Sequence, residues 1–307
     1  MNRNLLLTIE YDGTEFCGWQ RQPDKRTVQG EIERVLSVIC AQDIKVNGTS
    51  RTDAGVHALG QRASFGGDFG IPTDRIAGAA NNLLNGGRSA GKAGDVRITE
   101  VREMPEEFHA RYDAKGKKYI YKIRNAAVPD TFRRNYCYQI ARPLDIEKMC
   151  SAAEFVRGTH DFKCFQAAGG EEKETTVRTI YDICIFENGK LLTKHASLAA
   201  RRRFLKSAKR ITKKDGILLS EREISGTLQE EFPSEKEIEI HVAGDGFLYN
   251  MVRIIVGTLV DVGLGKIEPE DVEKIIEGKD RQAAGHTAPP QGLYLAEVYY
   301  DVLQCHE

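Results

Sequence analysis

The chain has 307 residues, 29% of them charged and 41% hydrophobic, with a formal net charge of −1. That balance is ordinary for a globular protein and leaves no global field to attract nucleic acid, so any such binding must come from local patches. No stretch approaches the ~18 consecutive apolar residues of a membrane span. The run Leu5-Leu6-Leu7-Thr8-Ile9 is too short for a signal peptide and lacks a small-residue cleavage site, so a cytoplasmic protein with no membrane partner is expected. Seven cysteines, at 17, 40, 137, 150, 164, 184 and 305, include no CxxC pair and no zinc-ligand spacing, which points to reduced thiols and no metal.

In chain order, Leu5 to Glu10 reads as a strand closed by a turn at Asp12-Gly13. Thr27 can cap a helix whose Ile32, Val35, Leu36 and Ile39 form one apolar stripe. A short strand near Arg62 to Phe65 follows. A helix after Thr73 turns Ile76, Ala80 and Leu83 inward, and Gly86 to Gly94 is a loop. Asp95 to Val101 is a strand. Lys117 to Ile123 alternates, with Tyr119, Tyr121 and Ile123 on one face and Lys118, Ile120 and Lys122 on the other. Asp145 can cap a helix burying Ile146, Met149, Cys150 and Ala153, stopped by Gly158. Thr179 to Phe186 and Glu237 to Val242 are strands. Helices follow Gly244-Asp245-Gly246 and span Pro269 to Ile276, and Leu293 to Tyr300 is a final strand.

This order of strands and helices occurs in each half without a tight sequence repeat, which fits an α+β duplication with helices on one face and a cleft between the halves. The Pro105-Glu106-Glu107 step divides the chain into 1–105 and 106–307. The segment from about 187 to 236 breaks the rhythm. Residues 194–222 carry ten Lys/Arg against Asp215 and Glu221, a local +8, and residues 223–239 carry six Glu against Lys236. Two readings stand for the basic run: a solvated amphipathic helix, or an arm that contacts phosphates.

Three features carry chemistry. The first is Asp53, in Gly48-Thr49-Ser50-Arg51-Thr52-Asp53-Ala54-Gly55-Val56-His57. A lone Asp in a tight turn is usually a turn former. One flanked by Arg, Thr and His, with Gly on both sides, is better read as held for chemistry. The second is Arg253, on a stretch apolar on all sides (Met251 to Val260) whose neighbouring acids, Asp245 and Asp261, are eight residues away in either direction. A buried guanidinium is costly without a partner, and neither acid stands at i±3 or i±4. The candidate partner is Asp53, and the alternative is a side chain that snorkels to water. The third is Tyr119, an aromatic beside Lys115, Lys117 and Lys118. This combination suits base stacking with phosphate contact, although an aromatic at a strand start is more often core.

At these residues the chain resembles the TruA-type tRNA pseudouridine synthases. The blocks are Glu10-Tyr11-Asp12-Gly13 with Gly18-Trp19-Gln20-Arg21-Gln22, Arg51 to His57, Phe108-His109-Ala110-Arg111-Tyr112, Lys118-Tyr119-Ile120-Tyr121, Asn250-Met251-Val252-Arg253, and Gly292-Leu293-Tyr294-Leu295. Six ordered blocks span most of the chain. The resemblance implies two similar α/β halves forming a mixed, mainly antiparallel sheet with helices on one face and a central active-site cleft. It implies isomerisation of uridine to pseudouridine in the tRNA anticodon stem-loop, at positions 38, 39 or 40, by a homodimer with no cofactor and no metal. Asp53 matches the catalytic aspartate, Tyr119 the tyrosine that stacks on the target base, and Arg253 the basic residue paired with the aspartate. Arg51 matches an arginine that helps extrude the nucleotide. Arg21, His57 and Lys118 are expected at the substrate, with Leu293 and Tyr294 lining its pocket.

The chemistry asks for these residue types. Breaking a glycosidic bond builds positive charge on the sugar, so a carboxylate at C1′ is useful, either by covalent addition or by removing a sugar proton. An aromatic under the base replaces the stacking lost on extrusion. The sequence departs from the family in two places: Ser50 stands where glycine is more usual before Arg51, and the 187–236 insertion is longer than in compact members. Other tRNA positions, a non-catalytic RNA-binding protein and a nucleoside hydrolase-like enzyme are the alternative readings.

Overall fold

The computed structural model describes residues 2–86, 94–170, 174–193 and 235–301. The basic run at 194–222, most of the glycine-rich loop before Asp95 and most of the 187–236 insertion lie outside the described residues. Two compact units emerge. The first comprises the described residues of 1–120 and 289–302; the second comprises those of 121–288. The Pro105-Glu106-Glu107 step falls within the first unit.

In the first unit, β1 (Arg3–Tyr11) lies between β3 (His57–Gly67) and β4 (Val96–Met104), antiparallel to both. The two-residue β2 (Asn47–Gly48) joins β3 antiparallel. The late strand β11 (Leu293–Tyr299) joins β3 parallel, with Tyr294 opposite His57 and Leu295 opposite Ala58. Helices α1 (Val28–Cys40) and α2 (Thr73–Leu84) pack together, and α2 also packs on β4. Thr27 caps α1 through the Gly30 N–H, and the buried stripe is Val28, Ile32, Val35, Leu36 and Cys40. That stripe passes beside Ile39, which is only partly buried, as is Leu83 on α2.

The second unit is built on β8 (Val177–Glu187), antiparallel to β7 (Gly158–Asp161), β9 (Lys190–Leu191) and β10 (Lys236–Gly244). Strand β5 (Gly116–Asn125) begins in the first unit and ends in the second, where its last residues pair parallel with β6 (Tyr138–Ile140). The helices are α3 (Ile146–Val156), α4 (Met251–Gly263) and α5 (Asp271–Gly278), with α3 packed on both others. The strands are therefore mixed and mostly antiparallel, and the fold class is α+β. No described helix is long and apolar enough to cross a membrane.

Two elements differ from expectation. Strand β5 does not alternate between a buried and an exposed face: Lys118, Tyr119, Ile120 and Tyr121 are all buried, and Lys118 is only 1% exposed. Both faces of the strand are covered, a condition that period-two patterning does not reveal. The helix after Gly244 starts late, at Met251, because Asp245 first closes an irregular pairing with Thr179. Its N–H donates to the Thr179 carbonyl at 3.1 Å and its Oδ1 accepts from the Thr179 N–H at 3.0 Å.

Asp145 accepts from the Lys148 N–H at 3.0 Å and so caps α3. Replacing such a cap by alanine costs about 1 kcal/mol. Asp145→Ala should lower the unfolding free energy by that amount, moving the urea midpoint down without changing the slope of the transition.

Candidate active site

Asp53 sits at the start of a turn that bridges β2 and β3. The turn is closed by the Val56 N–H donating to the Asp53 carbonyl at 3.2 Å. The preceding residue, Thr52, is held on two sides. Its carbonyl accepts from the Trp19 N–H at 3.0 Å, and its Oγ1 shares a 2.7 Å hydrogen bond with the Tyr11 hydroxyl. Gly18 makes the first contact possible. It has φ +88°, and a Cβ there would stand 2.6 Å from the Thr52 carbonyl oxygen.

The far side of the turn is held by His57. Its Nδ1 lies 3.1 Å from the Gly13 nitrogen and 3.2 Å from Asp12 Oδ1. The ring stacks on Tyr294 with centroids 4.7 Å apart. On the near side, the wholly buried Gln61 embraces the Ser50 backbone: Nε2 donates to the Ser50 carbonyl at 2.7 Å and Oε1 accepts from the Ser50 N–H at 3.3 Å. Ser50 has no positive φ, so the serine fits where glycine is more usual. Lys117 donates from Nζ to the Thr49 carbonyl at 3.0 Å.

Within this frame Asp53 is partly buried and Arg51 is exposed, with Arg51 Nε donating to Gln20 Oε1 at 3.1 Å. Arg21 is exposed, and its guanidinium is 3.4 Å from Glu33. Leu293 and Tyr294 are buried. Lys118 is enclosed, only 1% exposed. Tyr119 is buried on β5, and three influences set its phenol. Burial pushes it up, the Ser50 side chain pulls it back, and the nearby Asp53 charge raises it further, to about 12. Asp53 and Tyr119 are thus electrostatic neighbours within the first unit, and the phenol stays protonated at neutral pH.

In the second unit, Arg253 occupies the first turn of α4 and is partly buried. Its Nε donates to the Ala288 carbonyl at 2.7 Å and its Nη1 to Asn250 Oδ1 at 2.8 Å. The Ala288 N–H returns a bond to the Arg253 carbonyl at 3.0 Å. Asn250 is left-handed (φ 60°), a conformation asparagine tolerates better than most residues, and its side chain reaches Arg253 instead of capping the helix. Burial also pushes the Tyr121 phenol up, against the opposing Arg253 charge.

The sequence offers Arg253 no acid within four residues, but it does offer a neutral oxygen three residues earlier at Asn250. That spacing is legible once amides are admitted as partners. The Ala288 carbonyl gives no side-chain signal. Thr52 and Gln61, the residues that hold the Asp53 turn, were not foreseen from the sequence. Among the described residues, no group of three or more His, Cys, Asp or Glu is placed to hold a metal ion.

A buried tyrosine whose folded pKa lies above its unfolded value of about 10 supports the fold fully below pH 10. That support is lost as pH rises toward the folded value, because only the unfolded chain ionises. For Tyr119 the window is pH 10 to 12. Tyr119→Phe should flatten the alkaline fall in unfolding free energy by up to about 1.4 kcal/mol per pH unit in that window, measured by urea titration.

The comparisons with known proteins agree along the chain. The family model for tRNA pseudouridine synthase matches residues 7–113 and 152–301. A tRNA pseudouridine synthase A of Acetivibrio thermocellus is 42% identical over 97% of this chain and 100% of its own length. A tRNA pseudouridine synthase A 2 of Clostridium tetani is 40% identical over 98% and 100%. The tRNA pseudouridine synthase A of Ruminiclostridium cellulolyticum is 41% identical over 97% and 100%. With full-length similarity of this degree, the chain belongs to the TruA-type tRNA pseudouridine synthases.

Proposed function

We propose that this isomerase converts uridine to pseudouridine in the anticodon stem-loop of tRNA, at positions 38, 39 or 40, with Asp53 as the catalytic carboxylate. The observation that carries the reading is the Asp53 turn, whose charge bears on the Tyr119 phenol while Thr52 is fixed from two sides. Pre-organisation of this kind is what a developing charge in a transition state requires.

The reaction breaks the C1′–N1 bond, turns the uracil and joins C5 to C1′. The C5 proton leaves and N1 gains one, so no atom is added or lost overall. Asp53 meets the positive sugar, by bonding to C1′ or by taking a sugar proton. Tyr119 lies against the base as a neutral phenol that donates one proton while accepting another. Arg253 is the basic residue that the family resemblance adds to the catalytic set, aimed by Asn250 and the Ala288 carbonyl. Arg51, exposed beside the turn, assists extrusion of the nucleotide, with Arg21 on the same loop system meeting phosphate. Leu293 and Tyr294 line the base pocket and exclude water from the detached sugar. His57 acts from within by latching the turn. The enzyme works in the cytoplasm as a homodimer, with a solution mass twice that of the chain.

Asp53→Asn should abolish pseudouridine formation while leaving tRNA affinity within a few-fold, read by carbodiimide modification and primer extension across the anticodon stem. Full activity of that variant would end the proposal, and conversion confined to uridines elsewhere in tRNA would end the assignment of positions. Release of free uracil would indicate a hydrolase instead. Tyr119→Phe keeps the ring and most of the binding but should slow single-turnover conversion by about 100-fold or more, the range expected for a lost proton donor.

A further inference from the structure

Segment 285–288 lies against α4 at unusually short range. A Cβ on Gly257 would overlap the His286 carbonyl oxygen, and one on Gly285 would stand 2.6 Å from the Thr258 Cα. Four bonds hold the segment there. The Gly285 N–H donates to Thr258 Oγ1 at 2.9 Å, and the His286 N–H and Nδ1 both reach Asp261 Oδ2, at 3.2 and 2.9 Å. The Ala288 N–H donates to the Arg253 carbonyl at 3.0 Å. At the outer end, His286 Nε2 is 3.2 Å from the Tyr138 hydroxyl.

The protons can be placed. Burial opposes ionisation of Asp261, but hydrogen bonds from Lys266 and His286 hold its carboxyl below the usual range. An ionised carboxylate only accepts, so His286 Nδ1 donates to it. In the neutral ring Nε2 then accepts from Tyr138. The result is a chain from Tyr138 on β6, through His286, to Asp261 on the third turn of α4.

We propose that Asp261, His286 and Tyr138 are positioning residues for Arg253. They lock segment 285–288 in the register that presents the Ala288 carbonyl to the guanidinium Nε. This rests on the assignment of Arg253 to the catalytic machinery. Freed from the anchor, the Ala288 carbonyl shifts and the guanidinium loses one of the contacts that fix its direction. Misplacement of a reacting group by about 1 Å costs as much as ~100-fold in rate.

The test is a double-mutant cycle in steady-state kinetics on unmodified tRNA transcript. His286→Ala should lower kcat about tenfold with KM for tRNA unchanged within twofold. His286→Asn, whose amide N–H stands near the Nδ1 position, should recover most of that loss. In an Arg253→Gln background, His286→Ala should have no further effect, because coupled residues do not add. A full tenfold additional loss in that background, or an unchanged kcat in folded His286→Ala, would overturn the inference. If His286→Ala does not fold, Tyr138→Phe removes a single hydroxyl. It should cost about threefold in kcat when Arg253 is present and nothing in the Arg253→Gln background, and equal losses in both overturn the proposal. Wild-type kcat in Arg253→Gln alone would instead remove Arg253 from the catalytic machinery, a separately readable failure.

Discussion

The grip on Thr52 is the constraint from which the first unit's site follows. Its carbonyl and its hydroxyl are engaged by Trp19 and Tyr11, which come from different parts of the chain. Neither bond touches Asp53, yet together they leave the next residue little freedom. The turn is therefore set by folding, before any ligand arrives.

The second unit solves a similar problem with different means. Arg253 stands at the start of an apolar helix, where a cation is disfavoured by burial and by the positive end of the helix dipole. Two neutral oxygens, one amide and one carbonyl, help to direct it.

Much of this was legible in the residues. Thr27 and Asp145 are caps in fact as in pattern, and the strands at Leu5, Thr179, Glu237 and Leu293 stand where apolar runs put them. The tight turn at Asp53 was legible from the glycine that follows it at position 55. The burial of Lys118 was not, since a strand covered on both faces needs no alternation and a lysine among tyrosines reads as solvent-facing. The support of Arg253 was hidden for another reason: backbone carbonyls carry no residue signature, so Ala288 looks like any alanine.

Strand β11 has a consequence for the order of assembly. Tyr294 meets His57 across a parallel pairing that closes a loop of more than two hundred residues. Such a pairing is slow to find and opposed by chain entropy. A ribosome making this protein exposes the Asp53 turn and its early anchors long before residue 294, so in an unfinished chain His57 lacks its stacking partner.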